Sequence, residues 1–156
     1  MHLLHLEVIA EMMQMKNQVI KRYSELKQLQ TFEERFNYLK LNGLVGFDTF
    51  GFDRYLNQDF YKSSEWHSIR DFVIVRDNGC DMGLPDNEIC GKIYVHHMNP
   101  ITKDDIQNSS DILLNPEFLI CVSFDTHNAI HYGDSSISNK NKLIERTAND
   151  MCPWKQ

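Results

Sequence analysis

Proline and glycine are sparse, four and seven in 156 residues, which excludes collagen-like and low-complexity architectures. No apolar run approaches the roughly 20 residues that a bilayer span requires. The opening stretch MHLLHLEVIAEMMQMK has no basic segment ahead of its apolar residues and soon meets acidic ones, unlike a secretory signal peptide. Cysteine is limited to Cys80, Cys90, Cys121 and Cys152, and no two of them form a C-x-x-C pair. They are expected as reduced thiols, mostly buried small apolar groups, in a cytoplasmic protein. Positive charge is also short: 16 Lys and Arg against 22 Asp and Glu leave a formal charge of −6. That balance argues against a protein that coats nucleic acid non-specifically, but not against an enzyme that grips a few phosphates locally.

What the chain does have is apolar material, 42% of its residues, enough to close the core of one ordinary domain with an appended helical segment. Residues 3–30 are expected as a helix. Val8, Met12, Met15, Val19, Leu26 and Leu29 recur in steps of four and three, with Arg22 as the polar member of the series. This face either packs on the domain or pairs with a second copy of the chain through its heptad-like seam. Thr31-Phe-Glu-Glu34 is a capping-box pattern that starts a second helix carrying Phe32, Phe36 and Leu39, stopped at Gly43. Residues 43–59 have no clear period and are expected as an irregular connection.

A third helix follows, capped by Ser63 or Ser64, with Trp66, Ile69 and Val73 on one face and a tight turn at Asn78-Gly79. Then KIYVH alternates as a strand, Thr102 caps a short helix over 103–108, and FLICVS forms a second strand. DTHNAIHYG closes the series as a helix capped by Asp125 or Thr126 and stopped by Gly133. The tail from residue 135 is polar and partly basic.

Four histidines stand apart from the rest. His127 and His131 are one helical turn apart, so both project from one face. That spacing suits two ligands of one metal ion, and His96 at the strand end is a candidate third. Three imidazoles favour Zn, Ni or Mn over the oxygen-seeking Mg as the divalent ion. His97, adjacent to His96, is a candidate general base, because a neutral imidazole can take a proton from water. On a flat strand these neighbours point to opposite faces, so sharing one substrate needs a twist or bulge nearby.

Three segments, FYKSSEWHSIRDFVIVRDNGC, YVHHMNPI and DTHNAIHYG, together resemble the HNH, or ββα-metal, endonuclease family over residues 60–133. They are also similar to small HNH proteins of phages of Gram-positive bacteria, including those acting beside DNA packaging machinery. The resemblance implies an α+β fold, with N-terminal helices (1–43), a ββα-metal nuclease core (44–134) and a tail (135–156). It implies His97 as general base, and His96, His127 and His131 as ligands of one divalent ion (Zn, Ni, Mn or Mg). It implies DNA as substrate and phage packaging proteins as partners, acting in the bacterial host cytoplasm.

The chain departs from the family pattern in two places. Ser123 and Thr126 stand where many members carry the second C-x-x-C pair of a structural zinc. Phe118 stands where the family usually has its middle asparagine, and Asn115 is the nearest substitute for tying down the loop beneath the base. Arg70 and Arg76 beside the first strand, and Lys140 and Lys142 in the tail, are the expected DNA contacts. The competing reading is a catalytically weak binding module whose metal is structural, with Cys90 or Cys121 closing the ligand shell.

Overall fold

A computed structural model describes residues 19–41, 54–133 and 135, with side-chain placement omitted for 54–57 and 103. The architecture is α+β: short helices around a two-stranded antiparallel sheet. In chain order the elements are α1 (Tyr23–Leu26), α2 (Phe32–Leu39), α3 (Arg54–Lys62), α4 (Ser64–Arg76) and β1 (Tyr94–His97). They continue with α5 (Lys103–Gln107), α6 (Asp111–Leu114), a 3-10 turn (Pro116–Phe118), β2 (Leu119–Val122) and α7 (Phe124–Tyr132). No helix among the described residues is long and apolar enough to cross a membrane.

Local capping places most of these boundaries. Thr31 and Glu34 form the expected capping box on α2, Ser63 caps α4, and Thr102 caps α5. For α7 the cap is Ser123, which accepts from Thr126 N, rather than Asp125 or Thr126. Gly133 ends that helix with φ of 73°, a left-handed conformation that a Cβ would disfavour.

The strands pair Tyr94 with Val122, Val95 with Cys121, His96 with Ile120 and His97 with Leu119. Side chains alternate across this ladder, and each face has its own core. On one side Ile120 and Val122 join Leu26, Leu39, Leu41, Met98 and Ile130. On the other, Leu119 and Cys121 join Trp66 and Val73. All four residues of β2 are therefore buried, which explains its continuous apolar run.

The outer edge of β2 is closed by the loop that follows α4. Cys121 N donates to Asp77 Oδ2 (2.8 Å), Ser123 N donates to Asp81 Oδ2 (3.0 Å), and the Cys121 carbonyl accepts from Met82 N (2.9 Å). Side-chain and backbone groups here do the work of a third strand.

Two expectations need correction. The helix over 3–30 is interrupted: Lys21 and Arg22 are non-helical, Arg22 is extended, and only α1 follows. Two attachments hold Lys21 out of a helix. Its backbone N and O bond the side chain of Asn99, and its ammonium donates to the carbonyls of Leu39 and Lys40. These tertiary bonds outweigh a helix propensity of tenths of a kcal/mol per residue. Leu26 is fully buried in this chain's own core while Val19 is 76% exposed, so the two cannot share one intermolecular seam. The rest of that seam lies outside the described residues.

The second correction concerns residues 54–59, expected as irregular, which open α3. Leu26, Leu39 and Leu41 share a core with Met98, Ile120 and Ile130, so the described N-terminal helices pack on the domain, one of the two readings of that face. Gly43 lies outside the described residues; α2 already ends at Leu39.

Candidate metal centre

His96 leaves β1 on the face covered by α7, where His127 and His131 sit one turn apart. The three rings meet edge to face or tilted, with centroids 5.2 Å (His96–His127), 5.0 Å (His96–His131) and 4.3 Å (His127–His131) apart. One nitrogen from each lies within 4.8 Å of the other two. The His127 and His131 Nε2 atoms are 3.1 Å apart, close to the ~3.3 Å edge of a tetrahedron with bonds of about 2.0–2.1 Å.

His96 is 5% exposed, and its Nε2 atom is buried without a hydrogen-bond partner. An orphaned buried nitrogen costs about 1–3 kcal/mol, and an ion is one of the few things that explains it. Burial lowers the pKa of all three rings. His96 is pushed well below its ordinary value, also by the neighbouring imidazoles, and His131 falls to about 4 for the same reasons. His127 is lowered by burial, partly offset by the neighbouring Asn128 side chain, which acts as an acceptor toward the ring. All three are thus neutral at pH 7, the form that binds metal. The donor set fits a divalent transition-type ion.

His97 occupies the opposite face of the sheet. No bulge interrupts the β1–β2 register, so the two adjacent histidines diverge as strand geometry requires. The His97 ring stacks on Trp66 (5.3 Å, 17°) with Phe60 and Tyr61 nearby. Its Nε2 lies 2.9 Å from the Leu113 carbonyl. A carbonyl only accepts, so Nε2 carries the hydrogen and Nδ1 keeps the lone pair. Burial lowers the His97 pKa to about 4, against a small opposing effect of the Leu113 carbonyl.

Asn115 does not bond the loop that carries His97. Its Oδ1 accepts from Glu117 N (2.9 Å) and its Nδ2 donates to Asp111 Oδ2 (2.8 Å). It braces α6 and the 3-10 turn, and so supports the segment whose Leu113 carbonyl holds His97. Phe118 is 8% exposed, as expected of a core residue.

Arg76 is not free for DNA. Its guanidinium forks onto Asp77 (2.8 and 3.0 Å), donates to the carbonyls of Pro116 (2.6 Å) and Leu119 (2.7 Å), and lies 3.6 Å above the Tyr23 ring. Each nitrogen of the group is engaged within the protein. Arg70 is partly exposed on α4 and pairs with adjacent Asp71 at 3.0 Å, a contact worth little in water. Lys140 and Lys142 lie outside the described residues.

At the positions where the HNH pattern places a structural zinc, Asp81 gathers three donors instead: Gly83 N, Ser123 N and the Thr126 hydroxyl (2.9, 3.0 and 2.6 Å). The sequence did not single out Asp81. Only its 1% exposure marks it as the hub.

The described cysteines offer no fourth ligand to the histidines. Cys121 is buried toward α4, near the Val73 carbonyl, with its pKa raised to about 12 by burial and then by Asp77. Cys90 is exposed, contrary to the expectation of mostly buried thiols, and Cys80 is intermediate. Among the described residues the ligand group holds three histidines and nothing more. Comparison with protein-family models, curated proteins and solved structures finds no match to this chain.

Proposed function

We propose that this protein is a metal-dependent endonuclease of HNH type that hydrolyses DNA phosphodiester bonds. The observation that carries the reading is the tri-histidine cluster with its orphaned His96 Nε2. His96, His127 and His131 would hold a divalent ion, Zn, Ni, Mn or Mg. When bound, the ion supplies electrostatic stabilisation of charge on the phosphate and leaving oxygen. Three protein ligands suit a catalytic site better than a closed structural one.

His97 would be the general base only if the end of β1 twists, because its ring now faces Trp66 across the sheet from the three ligands. With Nε2 committed to Leu113, its Nδ1 would then take a proton from water. The water oxygen attacks phosphorus, and the bond from phosphorus to the leaving oxygen breaks. Leu113 and Trp66 position the ring, and Asn115 steadies the segment bearing Leu113. Processing or packaging of phage DNA is the setting to which the sequence resemblance points.

A second reading, a binding module with a weak or absent activity, is favoured by the 7% exposure of His97 and by the charge of −6. Plasmid nicking with a panel of divalent ions separates the two. The nuclease reading expects nicking by the wild type with at least one ion and none by His97→Ala. A wild type inert with every ion, although it binds metal, supports the binding module.

A further inference from the structure

A row of rings leads from the histidines to the surface. Tyr94 lies against His127 (centroids 5.6 Å, 30°), and Phe124 lies against Tyr94 (5.9 Å, 45°). Exposure rises along the row: His96 is 5% exposed, Tyr94 and His127 are intermediate, and Phe124 is 57% exposed. The fold makes little use of the Phe124 ring, which contributes to none of the buried clusters. The Lys92 ammonium stands 4.9 Å from the Tyr94 ring centroid, on an exposed side chain.

Apolar rings of this kind, beside a cation and next to a site for phosphate chemistry, match the surface that single-stranded nucleic acid uses. There bases stack on aromatic faces while a basic group meets the backbone. We propose that Phe124 and Tyr94, with Lys92, form a stacking platform for an unpaired base of a DNA strand at the rim of the tri-histidine site.

The proposal deepens the nuclease reading and rests on it for the placement of the strand. It names the substrate class as DNA that is single-stranded or locally opened, since bases within a duplex are already stacked on one another. Lys92 is close enough to the platform to meet a backbone phosphate of the same strand. The occupant is fixed by this chemistry: a planar aromatic ligand joined to a negative charge, delivered toward a cluster that would hold a divalent cation.

The test uses the full-length chain in chelator and low salt, with fluorescein-labelled oligothymidylate and a duplex of equal length followed by anisotropy. Wild type should bind the single strand more tightly than the duplex. Phe124→Ala should weaken single-strand binding roughly 5- to 150-fold, the range expected from losing one base stack. Duplex binding and metal affinity should stay unchanged. Phe124→Trp should restore the single-strand affinity, because an indole stacks at least as well.

Equal single-strand affinity of wild type and Phe124→Ala overturns the platform, as does a wild type that does not bind the oligonucleotide. Loss of metal binding in Phe124→Ala also overturns it, since the ring would then be supporting His127. Cleavage is scored separately. An inert wild type that still needs Phe124 for single strands upholds the platform while removing the nuclease reading. A cutting wild type whose single-strand affinity ignores Phe124 removes the platform alone.

Discussion

The Nε2 atom of His97 lies 2.9 Å from the carbonyl of Leu113. This one bond, with the Trp66 ring stacked beside it, makes His97 a packing residue as well as a candidate base.

Replacing His97 therefore carries two costs. His97→Ala should destabilise the fold by about 2–4 kcal/mol, because it leaves a cavity against Trp66 and an unpaired Leu113 carbonyl. The stabilisation gained on adding metal should match that of the wild type, since His97 is not a ligand. Urea unfolding with and without the ion measures both quantities, and loss of the metal increment would make His97 part of the metal shell.

The metal-free protein should lose stability as the solution is acidified. In the unfolded chain histidine titrates near 6.5, while burial holds folded His97 at about 4. Between those values the unfolded state binds more protons. Stability from the neutral ring is thus fully present above pH 6.5 and lost as pH falls toward 4. His97 alone contributes a loss of roughly 3 kcal/mol, and His131 and His96 act in the same direction. Urea midpoints in chelator at about pH 7.5 and about pH 4.5 give the comparison. His97→Phe, which cannot titrate, should show a smaller drop. Equal drops would assign the effect to other groups.

Asp81 is a buried carboxylate with three donors around it. Asp81→Ala should cost about 3–5 kcal/mol, because it strands Ser123 N, Gly83 N and the Thr126 hydroxyl together. The loss should appear as faster amide exchange at Ser123 and Thr126. A variant within 1 kcal/mol of wild type, a loss typical of surface sites, would show that water replaces the carboxylate.

The candidate site was legible where local geometry decides. His127 and His131 meet because a helix brings residues four apart onto one face, and His96 and His97 diverge because a strand alternates. Thr31, Ser63 and Gly133 act through neighbours a few positions away, so their capping roles show in the sequence. Arg76 was misread because its partners, the carbonyls of Pro116 and Leu119, arrive from 40 and 43 residues away. Lys21 and Asn99 are 78 apart, and their bond breaks a helix that periodicity alone would continue. Asn115 was expected to tie down the loop beneath His97, but its side chain bonds Glu117 N and Asp111 instead. A side chain that can cap its own turn does so before reaching across to a loop.

The central claim is that three histidines hold a divalent ion, and thermal unfolding tests it most directly. Titrating Zn, Ni or Mn into chelator-stripped wild type should raise Tm by about 5–10 °C once the ion exceeds its Kd roughly 100-fold. His96→Ala, His127→Ala and His131→Ala should each lose most of that rise. A wild-type Tm that is the same with each ion and with chelator would contradict the metal centre, and the nuclease proposal with it.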